Sequence, residues 1–130
     1  MYFPEPDSGT VNELLQGRGD IVISQLAITE MSSALARRCR DGGLDNDAAA
    51  AAHKAVLGHI DDGLYECVEL LSETHREAER ILFSTATPLR ASDALHLALA
   101  RSARARSLLT FDVRMANAGR TVGLLTILQA

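Results

Sequence analysis

The sequence predicts an α/β fold in which helices cover both faces of a mainly parallel sheet. Three observations carry that expectation. Short apolar, β-branched runs alternate with segments of helical periodicity along the 130 residues. None of these runs is joined to the next by a hairpin signal, so consecutive strands need crossover connections, which favours parallel pairing. The length suits one compact domain with one core, expected here over residues 1–130.

The elements follow in order. The opening MYFPEPDSG reads as the end of an element: two aromatics that want burial, then Pro4 and Pro6 as a stop. A helix is expected next, around SGTVNELLQ. Asp20 to Ser24, DIVIS, is a buried strand bounded by Gly19. LAITEMSSALARRCRDGG follows as a helix: Leu26, Met31, Ala34 and Leu35 recur near helical spacing, arginines fill the last turn, and Gly42-Gly43 closes it. DNDAAAAAHKAVLGHIDDG is a second helix with acids at its start and Gly63 at its end. Its Ala48–Ala52 run is a strong helix former, not a linker.

Leu64–Leu70 alternates weakly and predicts a strand. Ser72 is expected to cap SETHREAERILFSTA. Thr87-Pro88 predicts a helix start, cap then proline at the first helical position, for PLRASDALHLALARSARA. Ser107–Phe111 is a strand, Asp112 caps VRMANAGRTVG, and Leu124–Leu128 is the last strand.

Composition narrows the function classes. Hydrophobic residues make up 47% and charged residues 23%, which excludes wholesale disorder. No apolar run approaches the ~18–20 residues that cross a bilayer, and the first residues carry neither the basic nor the apolar region of a signal peptide. A cytoplasmic protein is therefore expected. Cys39 and Cys67 form no CxxC and have no His at zinc-finger spacing, which fits reduced thiols. A net charge of −4 argues against non-specific coating of nucleic acid. Any such contact must be local. Lys54 is the only lysine, and arginines cluster at Arg37, Arg38 and Arg40 and at Arg101, Arg104 and Arg106. Both clusters fit solvated helix ends that complement the dipole, or phosphate contacts.

The residues with chemical potential are acids. Asp93 falls among Ala and Leu in LRASDALHLALA, and a buried carboxylate needs a partner, hydrogen bonds or a metal. His96 lies three residues on, near the same helix face, where a packed histidine is the ordinary explanation. Glu30 follows a strand end, and Asp112 closes SLLTF. Each acid alone has a structural explanation, as dipole partner or cap. In open α/β sheets, however, ligands bind at the carboxyl ends of strands. Three acids converging there repel one another, and a divalent cation resolves the repulsion. Hard oxygen ligands select Mg²⁺ or Mn²⁺, which can orient a phosphodiester. Competing motifs fail: there is no GxxxxGK[ST], no GxGxxG after a strand and no GxSxG. DGGLDND lacks the EF-hand pattern, His53 and His59 are poorly spaced for one helix face, and Arg18-Gly19-Asp20 is a chance turn before a strand.

On these residues the chain resembles the PIN domain family, and within it the VapC-type toxins of bacterial toxin–antitoxin pairs. Glu30 in ISQLAITEMSSAL, Asp93 in LRASDALHLALA and Asp112 in LLTFDVRMANA are similar to three acidic motifs of that family. The resemblance runs from Tyr2 to the C-terminus, and ASDALHLA with LLTFD is its most specific part. It implies a three-layer α/β/α fold with a parallel sheet. It implies a Mg²⁺- or Mn²⁺-dependent endoribonuclease acting on structured RNA such as tRNA or rRNA, with Glu30, Asp93 and Asp112 as metal-binding catalytic acids. It implies a homodimer and a cognate VapB-like antitoxin. No catalytic role carries over to His96. Family members usually open with a strand ending in a fourth acid, whereas here nothing precedes Met1. The expectation is therefore a PIN-like domain lacking its first strand. Two readings follow: an active ribonuclease toxin, or a catalytically impaired module that binds antitoxin or dimerises. A small nucleotide-binding α/β domain is a third, weakened by the missing phosphate loop.

Overall fold

The computed structural model describes residues 19–86, 88–110 and 113–128. The expectations for MYFPEPDSG, for a helix near SGTVNELLQ and for Asp112 lie outside those residues.

Strand β1, Ile21–Ser24, is wholly buried, as its β-branched run demands. It passes directly into helix α1, Gln25–Arg40. Ser24 ends the strand and caps the helix, its hydroxyl accepting the Ala27 N–H at 2.9 Å. Helix α1 ends in Arg37, Arg38 and Arg40, and Gly42 takes φ 79° just beyond. Helix α2, Asn46–Asp61, is capped by Asp45, which accepts the Ala48 N–H at 2.7 Å. Gly63, at φ 78°, turns the chain into strand β2, Tyr65–Val68. That strand is shorter than the seven-residue run expected from sequence.

Helix α3 spans Ser72–Ser84 and α4 spans Ala91–Ser102. Two predicted starts are corrected here. Ser72 is the first helical residue and not the cap. Leu71 occupies the cap position with extended backbone and no side-chain cap bond. Helix α4 starts at Ala91, three residues after Pro88, with Arg90 at the cap position. The acid sets that boundary: Asp93 Oδ2 accepts the Arg90 N–H at 3.1 Å, the acidic half of a capping box. Asp93 therefore sits in the first turn, where the helix dipole favours it, and not mid-helix. Strand β3, Ser107–Thr110, helix α5, Val113–Thr121, and strand β4, Leu125–Leu128, complete the described chain.

The strands pair in parallel, as the missing hairpin signals required. β1 pairs with β2, with Ile21 opposite Tyr65, and β3 pairs with β4, with Ser107 opposite Leu125. Side chains alternate between two faces, and the core divides accordingly. Val22 and Leu108 join Ile81 of α3, Leu97 of α4 and Met115 of α5 in one cluster. Their strand neighbours Ile21, Ile23 and Leu109 join Ile28 and Met31 of α1 and Val56 of α2 in the other. Helices α1 and α2 thus cover one face, and α3, α4 and α5 the other. The result is the α/β/α layering expected.

No described helix is long and apolar enough to cross a membrane. Cys39 and Cys67 are both free thiols, half-buried.

Candidate metal centre

The site grows from the carboxyl end of β1. Because α1 begins without a loop, Glu30 is fixed by helical phase in the second turn of that helix. Its side chain is 42% exposed. Asp93 lies in the first turn of α4, a residue only 9% exposed. His96 is one turn further along α4, on the same face, with a side chain 4% exposed.

The structure brings two of these three into contact. His96 Nε2 meets Glu30 Oε1, joining residues 66 apart in sequence. Glu30 of α1 is thereby tied to the face of α4 that also carries Asp93, one turn earlier. Asp112, the third predicted acid, lies outside the described residues. Thr110, the last residue of β3, is fully buried two positions before it. Among the described residues, no group of three His, Cys, Asp or Glu side chains is placed to hold a metal ion. The described part of the chain offers the two acids Glu30 and Asp93.

Their remaining oxygens suit a hard cation. Asp93 spends Oδ2 on the Arg90 N–H, and Oδ1 has no hydrogen-bond partner among the described residues. A buried carboxylate oxygen without a donor is costly. Glu30 gives Oε1 to His96, while Oε2 has no partner among the described residues. Each acid thus keeps one oxygen in reserve. Oxygen donors of this kind match Mg²⁺ or Mn²⁺, not the softer metals that thiolates select.

His96 is the residue that sequence reading undervalued. Its packed position was expected, but its contact with Glu30 was not. The only local signal was its spacing of three from Asp93, which places both on one face of α4.

Other titratable groups lie elsewhere. Burial pushes the Tyr65 phenol and the Cys67 thiol up, Cys67 with help from the Glu69 carboxylate. Both sit on β2. A groove beside β2 is lined by Glu66, Glu69, Glu73, Glu77, Arg101 and Arg104. There Glu77 is already paired with Arg101 at 2.8 Å and with Arg80 at 2.9 Å. Neither Glu30 nor Asp93 lines this groove. Arg37, Arg38 and Arg40 are exposed at the end of α1.

Comparison with known proteins bears on the family and the fold. The family described as "PIN domain" matches residues 1–121. Among solved structures, the chain is similar to PAE2754 from Pyrobaculum aerophilum, known from a crystal structure, with a TM-score of 0.67 and 23% identity. The match covers 96% of this chain and 82% of that one. At that identity the likeness bears on the fold. No curated protein matches the sequence.

Proposed function

Because the chain belongs to the PIN domain family, generally a fold of metal-dependent nucleases, we propose that it is a Mg²⁺- or Mn²⁺-dependent endoribonuclease of the VapC toxin type. In this reading it cuts structured RNA of the tRNA or rRNA class, acts as a homodimer, and is held in check by a VapB-like antitoxin. Glu30, Asp93 and Asp112 are its metal-binding acids. The observation that carries the reading is the contact of Glu30 with His96, which lies one turn along α4 from Asp93 on the same face.

Glu30 and Asp93 each present one oxygen, and Asp112, two residues after β3 in the sequence, would be the third acid. A divalent cation held by these acids would offset the repulsion among the carboxylates, and the chemistry it would supply is polarisation of a phosphodiester and acidification of a water. The chain's own part is placement. The capping bond holds Asp93 in one rotamer, and the core that surrounds α4 keeps that turn rigid.

Asp93→Asn tests the reading cleanly. The amide oxygen of Asn still accepts the Arg90 N–H, so the helix start is kept while the charge is lost. Mg²⁺-dependent cleavage of structured RNA by the wild type should fall about 100-fold or more in this variant. Equal cleavage by the two proteins would overturn the assignment.

One observation favours a second reading, a catalytically impaired module that binds antitoxin or dimerises. Both described acids already have structural duties, one at a helix cap and one against His96. Calorimetry decides between the two: tight Mn²⁺ binding by the wild type rules out the impaired module.

A further inference from the structure

We propose that His96 is the positioning residue of the metal centre: it holds Glu30 as a one-oxygen ligand and thereby favours small divalent ions over Ca²⁺. The inference rests on the nuclease reading above and specifies how one of its acids is aimed.

The two partners differ in freedom. Glu30 has three rotatable side-chain bonds, starts from an outward-tending helix position and is 42% exposed. Nothing in its own helix fixes it. His96 has two side-chain torsions and is 4% exposed. Its neighbours Leu97, Ala98, Leu99 and Ala100 are buried almost completely, so the imidazole is held by packing. Contact between a fixed group and a mobile one orients the mobile one. His96 therefore sets the Glu30 rotamer.

The contact also divides the carboxylate. With Oε1 against His96 Nε2, binding through both oxygens would have to share Oε1 between the imidazole and the ion, so Oε2 is the favoured donor. Bidentate carboxylate binding is common for Ca²⁺, which takes six to eight oxygens, whereas Mg²⁺ demands a tight octahedron with single oxygens. A glutamate with one oxygen already engaged suits the smaller ion. Groups that orient a ligand from behind typically change metal affinity 10–100-fold when lost.

Mn²⁺ and Ca²⁺ titrations by calorimetry on the whole chain test the proposal. His96→Leu should weaken Mn²⁺ binding about 10–100-fold and narrow the Mn²⁺/Ca²⁺ ratio. His96→Gln keeps an N–H donor at similar reach and should stay within about threefold of the wild type. His96→Asn, too short to reach Glu30, should behave as His96→Leu does, and serves if the leucine variant does not fold. In a Glu30→Gln background, changing His96 should alter Mn²⁺ affinity no further. Two results would overturn the inference while leaving the nuclease reading standing. One is an unchanged Mn²⁺ affinity and ion ratio in the loss variants. The other is a His96→Gln protein as weak as His96→Leu, which would make the role one of packing. A wild type that takes up no Mn²⁺ overturns the nuclease reading and this inference with it.

Discussion

Helices α2 and α4 are both rich in alanine, and the fold uses them in opposite ways. Of the residues in α2, only Val56 is buried. In α4, Asp93, Ala94 and every residue from His96 to Ala100 are buried. The difference lies in what surrounds them. Helix α4 packs along α3 and over the strand face that carries Val22 and Leu108. Among the described elements, helix α2 packs chiefly on α1 and β2. Alanine in α4 permits close approach of neighbours, whereas in α2 it mainly favours the helix itself. The candidate acid and its histidine neighbour sit on the helix whose surroundings are fixed.

The contrast can be broken by mutation, and the largest effect is expected in α4. Leu97 is fully buried, so Leu97→Ala should cost about 2–5 kcal/mol in chemical denaturation. A loss below 1 kcal/mol would mean that α4 is not the packed helix described. In α2, the greatest vulnerability is an end and not the middle. Asp45→Ala removes the cap on Ala48 N–H and should cost about 1 kcal/mol. The smallest effect has the opposite sign. A Cβ at Gly58 of α2 would meet nothing within 4 Å, so Gly58→Ala should stabilise by about 0.4–1 kcal/mol. A lower melting temperature in that variant would show that the face of α2 at Gly58 is covered after all.

Much of this architecture was legible in the sequence because its signals are local. The β-branched apolar run IVI, the arginine-then-glycine end of α1 and the Asp45 start of α2 each depend on neighbours a few residues away. Two helix starts were misread for a physical reason. Thr87-Pro88 has the chemistry of a helix start, but the acid at position 93 secures Arg90 as the cap and moves the boundary inward. Ser72 has cap chemistry, yet Leu71 takes the extended backbone conformation ahead of the first turn. At the site, the acid types and their spacing pointed to Glu30 and Asp93. The contact of Glu30 with His96 could not be read, because it depends on how α1 and α4 pack across the sheet, a relation with no local trace.

The absence of any linker between β1 and α1 has a consequence for how this chain can change over evolutionary time. Loops elsewhere tolerate insertion because their slack absorbs an added residue. At the Ser24–Gln25 junction there is no slack. One residue added between Ser24 and Ile28 within the helix would turn everything beyond it by about 100° relative to the strand. Glu30 would swing off the face that meets His96, and Ile28 and Met31 would leave the core with it. The junction works as a ruler, measuring six positions from the end of a buried strand to the carboxylate. Substitutions can be absorbed along that stretch one at a time, but its length is not free to drift.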